Sequence, residues 1–346
     1  MGYMERDKVG IVGHFMYNQE NAAVNGQAVK TRNYKSVLME KYGEGKIAYL
    51  DTNYFKKRLF ANYYKLWKLC KSCKTVIIMP TQNGLVLLLP VLTILKKLYH
   101  FRLLYSVVGG WLPEVVKNNT FIRKLLKVVD RIYPETDELS NELRTVGITN
   151  VQTIPNFSVR PRPESLDTVS WMEKPYKLCT FSRVIKTKGI GEAIDAVNAL
   201  DGYTLDIYGP IDESYRDEFL TRVDGKKIRY CGILNNETII STLSKYVFML
   251  FPTYYAGEGM PGAVLDGYIA GLPVIASNWH YNAEVVKDGE TGFIFELKDI
   301  DRLPEIIRHA VEEVDVKALR QNCSVISEQY PPETIMKPIY DVVDSV

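Results

Sequence analysis

Residues 247–276, VFMLFPTYYAGEGMPGAVLDGYIAGLPVIA, read as one complete strand–helix–strand unit. The apolar run Val247–Phe251 predicts a buried strand, followed by a loop rich in glycine and proline. A helix is expected from near Pro261, because proline suits the first helical position; Gly271-Leu272-Pro273 ends it and Val274–Ala276 supplies the next strand. The same alternation extends in both directions. Further strands are predicted at Val9–Val12, Lys46–Leu50, Thr75–Met79, Arg102–Val107 and Arg131–Tyr133, then at Lys177–Phe181, Thr204–Tyr208 and Ile228–Cys231. Short apolar runs alternating with longer helical patterns are the sequence form of parallel α/β sheets.

A chain of 346 residues is too long for one ordinary core. Two Rossmann-like domains are expected, an N-terminal one over 1–160 and a C-terminal one over 161–330, joined by the linker Pro155–Pro163. A helix predicted over Pro332–Val343 would carry segment 331–346 back to the first domain. The cleft between two such domains, at the strands' carboxyl ends, is the expected binding site.

The composition, 46% hydrophobic and 24% charged, excludes disordered and fibrous classes. Met1–Lys8 does not have the layout of a signal peptide. The longest apolar run, Gly84–Leu95, contains Pro90 and falls short of the ~20 residues of a spanning helix. The expectation is a cytoplasmic protein. Five cysteines, mostly scattered, suit reduced thiols, and the Cys70/Cys73 pair lacks a second pair to complete a zinc site. Asp299-Ile300-Asp301 has the form of a metal-binding DxD, but it precedes an apolar-periodic helix and is expected to cap it.

Charge is unevenly spread. Residues 1–170 hold 25 Lys and Arg against 14 Asp and Glu; the remainder holds 18 against 27. No acid occurs from Thr52 to Pro113, a span carrying Lys56, Lys57, Arg58, Lys65, Lys68, Lys71, Lys74, Lys96, Lys97 and Arg102 among several aromatic residues. It reads either as a solvated helix face or, the favoured reading, as a basic aromatic surface over 54–130 that meets an anionic membrane. No DNA- or RNA-binding motif accompanies the charge, so no nucleic-acid partner is expected.

Glu258 precedes the predicted helix and Asp266 lies about one and a half turns into it. Two carboxylates so placed can accept hydrogen bonds from several hydroxyls of one polyol. After the strand Lys177–Phe181, Arg183 and Lys188 stand before another helix, where two cations make a diphosphate clamp.

These residues carry a family resemblance. Glu258, seven residues, Asp266, Gly271-Leu272-Pro273-Val274-Ile275-Ala276, Glu284, Gly289 and Thr291-Gly292 together resemble the donor-site signature of retaining glycosyltransferases of family 4, which have the GT-B fold: two Rossmann-like domains facing each other across a cleft. Arg183 and Lys188-Gly189 match that family's phosphate pair, Pro155-Asn156 its first-domain end, and Asn25-Gly26-Gln27 its glycine-rich loop. The family has Glu where this chain has Asp266, and many relatives have a histidine where it reads Val108-Gly109-Gly110-Trp111.

The resemblance implies a retaining hexosyltransferase-type enzyme (EC 2.4) that needs no metal and no cofactor. It would move a hexose or N-acetylhexosamine from a nucleotide diphosphate sugar, UDP favoured over GDP, to a glycan acceptor that is lipid-linked, in polysaccharide or glycoconjugate synthesis. Arg183, Lys188 and Glu258 are the implied catalytic residues. Gly26, Ile233, Gly259, Met260, Pro261 and Asp266 are implied to bind donor, and His14 and Trp111 to face the acceptor. His280 lies near the donor phosphates. The alternative is an epimerase-like or non-transferring sugar-nucleotide-binding protein.

Overall fold

The computed structural model describes residues 7–16, 25–53, 55–162 and 173–345. Tyr54, Pro163 and the opening Met1–Arg6 lie outside the described residues. Every predicted strand forms to within a residue or two, and every pairing between them is parallel. The chain divides into two units.

The first unit contains β1 (Lys8–Gly13), β2 (Ile47–Asp51), β3 (Cys73–Met79), β4 (Arg102–Ser106) and β5 (Arg131–Tyr133), in the order β2-β1-β3-β4-β5. Its helices are α1 (Gly26–Tyr42), α2 (Leu59–Ser72), α3 (Gln82–Tyr99), α4 (Leu112–Asn118), α5 (Thr120–Leu126) and α6 (Asp137–Thr145). The central strands are apolar on both faces because helices cover both, as parallel sheets require.

The second unit contains β6 (Tyr176–Phe181), β7 (Tyr203–Tyr208), β8 (Ile228–Gly232), β9 (Phe248–Phe251), β10 (Val274–Ser277) and β11 (Gly292–Phe295), in the order β11-β10-β9-β6-β7-β8. With β6 as its first strand, this is the 3-2-1-4-5-6 order of dinucleotide-binding folds, which reverses between β6 and β9. Its helices are α7 (Ile190–Asn198), α8 (Arg216–Leu220), α9 (Ile239–Leu243), α10 (Gly262–Ile269), α11 (Asn282–Val285), α12 (Leu303–Glu312) and α13 (Val316–Ser327).

The chain then adds α14 (Pro332–Ile335) and α15 (Lys337–Asp344) to the first unit. Met336, Ile339 and Tyr340 pack there with Val9, Ile11, Phe15 and Tyr34. The single helix expected over Pro332–Val343 is two. Pro338 has no amide hydrogen to continue the α14 ladder, and it sits instead in the first turn of α15. The expected Asp299/Asp301 cap also fails. Residues Leu297–Arg302 form a tight 3-10 turn, and Arg302 precedes α12 without a side-chain cap bond.

The acid-free span of the sequence is not acid-free in space, since Lys96 and Arg102 both reach Asp130, at 2.6 and 3.4 Å. Its aromatic residues divide by role. Phe55 is buried and Trp67 Nε1 donates to Tyr99 Oη at 2.7 Å, whereas Phe60 is 94% exposed and Tyr64 is also exposed, as are the aliphatic Ile94 and Leu98 and, beyond the span, Phe121. No helix among the described residues is long and apolar enough to cross a membrane.

Candidate active site

In sheets of the second unit's type, ligands bind beyond the carboxyl ends of the strands where the order reverses. Here that place is the loops after β6 and β9. The first runs from Ser182 to Gly189 and the second from Pro252 to Pro261, so Arg183, Lys188 and Glu258 all fall on them.

The two loops are fastened together. Gly189 has φ +71°, and a Cβ on it would stand 2.1 Å from the Pro252 carbonyl oxygen, so only glycine lets the loops approach this closely. Tyr254 N donates to Thr187 O at 2.8 Å. Lys188 Nζ meets Glu258 Oε2 at 2.5 Å, and Thr253 Oγ1 donates to the same oxygen at 2.9 Å. The Lys188 and Glu258 side chains are only 12% and 7% exposed, so each charge depends on the other. Oε1 of Glu258 has no such partner among the described residues.

The two cations of the expected clamp therefore differ. Lys188 is committed to Glu258 and lies 5.2 Å from the centroids of both the Phe251 and Tyr255 rings. Arg183 makes no ion pair among the described residues and lies 5.7 Å over the Tyr255 ring. Tyr255 thus carries both cations, and Trp279 Nε1 on the loop after β10 holds its carbonyl at 2.9 Å. His280 is exposed, with left-handed backbone (φ 46°), and packs edge-on against Trp279.

Gly259, Met260 and Pro261 are buried and lead into α10, with Pro261 as its N-cap rather than its first residue. Asp266 is already bonded to its neighbours. It is 5% exposed, and its carboxylate already accepts Ser158 Oγ at 2.9 Å and Arg160 NH1 on both oxygens at 2.9 Å. Burial pushes the Asp266 carboxyl above its usual range, with Arg160 and Ser158 opposing the shift. Ile233 is half-buried in the loop after β8, next to Gly232, whose carbonyl accepts from Gly209 N at 2.9 Å.

The tail of the signature serves the sheet. Thr291 Oγ1 pairs with Tyr268 Oη at 2.8 Å, and a Cβ on Gly292 would stand 1.8 Å from Val274 O, where β11 pairs with β10.

In the first unit the order reverses between β1 and β3. His14 follows β1, Gly26 opens α1, and Trp111 precedes α4 with Nε1 donating to Val108 O at 2.7 Å. Burial holds the His14 imidazole below its ordinary range, against the pull of Asp51. Sequence reading missed a fully buried pair at this end of the sheet: Lys30 Nζ reaches Glu135 Oε1 at 2.6 Å and Val107 O at 2.8 Å, while Gly109 N donates to Glu135 Oε2 at 3.4 Å. The pair pins the loop 107–109 after β4.

Residues 162–327 match the family described as glycosyl transferases group 1. A 174-residue stretch is 23% identical to the amylovoran biosynthesis glycosyltransferase AmsK of Erwinia amylovora, covering 47% of this chain and 43% of that one. A 66-residue stretch is 36% identical to the UDP-Gal:alpha-D-GlcNAc-diphosphoundecaprenol alpha-1,3-galactosyltransferase of Escherichia coli, covering 19% and 17%. The chain thus spans less than half the length of these curated relatives. In fold it is similar over 98% of its length to the whole of Anabaena Alr3699/HepE, solved in complex with UDP-glucose, with a TM-score of 0.74 and 15% identity. The two-sheet α/β architecture is the GT-B fold.

Proposed function

We propose that this protein is a retaining, metal-independent glycosyltransferase that moves a hexose or N-acetylhexosamine from a UDP-sugar to a hydroxyl of a lipid-linked glycan acceptor. One observation carries the reading: Arg183, Lys188 and Glu258 stand on the two loops flanking the β6/β9 reversal, with Lys188 bonded to Glu258. The group 1 match over the second unit supports it, as do the UDP-glucose bound by HepE and the diphosphoundecaprenol substrate in the name of the Escherichia coli relative.

In the reaction, the bond from the anomeric carbon to the diphosphate breaks as one to the acceptor oxygen forms on the same face. The acceptor proton passes to a diphosphate oxygen. Negative charge grows on the leaving group, where Arg183, Lys188 and the amides after Gly259 oppose it in the role a divalent metal plays in other transferases. Glu258, oriented by Lys188 and Thr253, offers Oε1 to donor sugar hydroxyls.

The acceptor would be met at a membrane. α2 packs on α3 and α3 on α5, and this group presents Phe60, Tyr64, Ile94, Leu98 and Phe121 beside Lys65, Lys68, Lys97 and Lys124, a pattern suited to anionic lipid at the cytoplasmic surface. A panel of UDP- and GDP-sugars, followed by thermal shift and by nucleotide release, tests the donor. Stabilisation by at least one UDP-sugar with release of UDP is expected; indifference to the whole panel would overturn the reading.

A further inference from the structure

Arg183 and Lys188 stand on one loop, and holding two cations ready for an anion has a physical difficulty. A carboxylate beside each would fix it in place, but would also cancel its charge and compete with an arriving phosphate. Left to water, a long cationic side chain keeps its rotamer freedom and loses it only on binding. An aromatic face avoids both costs: its quadrupole attracts the cation and leaves the net charge intact.

The second unit uses that third solution at Tyr255. The Arg183 guanidinium carbon lies 5.7 Å from the centroid of its ring and Lys188 Nζ 5.2 Å, both inside the ~6 Å range of a cation–π contact. Lys188 has the Phe251 ring at 5.2 Å as well. Asp212 feels the Arg183 charge without pairing with it; its Oδ1 accepts instead from Ser214 N and Oγ, at 3.1 and 2.6 Å. The Tyr255 ring is itself seated from several sides. Tyr255 N donates to Thr253 Oγ1 at 3.2 Å, and its carbonyl accepts from Glu258 N at 3.0 Å and from Trp279 Nε1 at 2.9 Å. A Cβ on Gly257 would stand 2.8 Å from ring atom Cε1 and 3.0 Å from Cζ, so the ring lies against backbone that only glycine leaves open. The loops after β6, β9 and β10 thus meet at one ring.

We propose that Tyr255 is a positioning residue of the transfer reaction: its ring holds Arg183 with its charge uncancelled and steadies Lys188 beside it, so that both meet the donor diphosphate from fixed places. This rests on the reading of the two cations as a diphosphate clamp.

The experiment measures, by calorimetry, the affinity of UDP for the full chain and for Tyr255→Leu, Tyr255→Phe, Gly257→Ala and Arg183→Ala, with thermal unfolding run on each. Tyr255→Leu should weaken UDP about 5- to 30-fold, the worth of two cation–π contacts. Tyr255→Phe returns the ring and should recover the affinity to within about threefold. Gly257→Ala keeps the ring but pushes it aside, and should weaken UDP about 2- to 10-fold. The decisive comparison is a double-mutant cycle: in the Arg183→Ala background the Tyr255→Leu loss should shrink to about 2- to 5-fold, the share of Lys188 alone. A purely structural role for Tyr255 would give the same loss in both backgrounds. If Tyr255→Leu does not fold, Gly257→Ala in the two backgrounds supplies the same cycle. Equal losses in the two backgrounds, a Tyr255→Phe as weak as Tyr255→Leu, or a folded Tyr255→Leu that binds UDP like the parent would overturn the proposal. Failure of the unaltered protein to bind UDP, or an Arg183→Ala that binds it unchanged, would instead strike at the clamp beneath it.

Discussion

Removing Arg183 and removing Lys188 should have different consequences, although the sequence gives the two cations one role. In Arg183→Ala the fold loses little, because the guanidinium makes no ion pair among the described residues and lies 5.7 Å over the Tyr255 ring. A cation–π contact of this kind is worth about 0.5–1 kcal/mol. In a unit of this size that lowers Tm by no more than about 2–4 °C. The transition state loses more, since one preorganised group opposing the developing charge contributes about 2.7–4 kcal/mol, and turnover should fall roughly 10²- to 10³-fold. Lys188→Ala adds a structural penalty. Glu258, 7% exposed, is left without its counter-charge, and breaking a buried pair costs roughly 3–5 kcal/mol. UDP release under saturating donor, read beside calorimetric unfolding of both variants, separates the effects. Wild-type turnover in a folded Arg183→Ala would remove the clamp; equal thermal losses in the two variants would refute the partition drawn from the geometry.

Four further outcomes are expected. Gly189→Ala should lose about 2–3 kcal/mol in urea unfolding, because a Cβ at φ +71° meets the Pro252 carbonyl; a loss under about 0.5 kcal/mol would mean the loops are not held as described. EDTA should leave turnover unchanged, and its abolition by the chelator would point to a metal. Flotation with vesicles containing anionic lipid should show binding at low salt that fades toward 1 M, where the Debye length is about 3 Å, and Phe60→Ser with Phe121→Ser should weaken it; no lipid-dependent binding at low salt would sink the membrane reading. Lys30→Met should cost roughly 3–5 kcal/mol by removing the cation from a buried ion pair, and a variant as stable as the parent would contradict the pair's importance.

The strands were legible because buried parallel strands are written as short apolar runs, and each run ends at the glycine, proline or polar residue that turns the chain. β11 escaped because Gly292–Phe295 reads equally well as the tail of a ligand signature. The loops that carry Arg183, Lys188 and Glu258 were legible from their position after strands. The bonds among their side chains were not. Lys188 and Glu258 are 70 residues apart, Lys30 and Glu135 are 105, and Arg160 and Asp266 are 106. No periodicity links such pairs, and a lone arginine in a proline-flanked stretch gives no sign of the carboxylate it will meet. Thr253 was missed for a different reason, since a threonine after a strand is ordinary until its hydroxyl is seen on Glu258.

The return of Met336, Ile339 and Tyr340 to the first unit bears on how the chain is made. The core around Val9, Ile11 and Tyr34 lacks these side chains until residues 158–331 have been synthesised, a delay of roughly 10–35 s at about 5–20 residues per second. During that interval the second unit can emerge and form its own core, while the first holds an uncovered apolar surface. The half of the molecule that begins first at the ribosome is the half that finishes last.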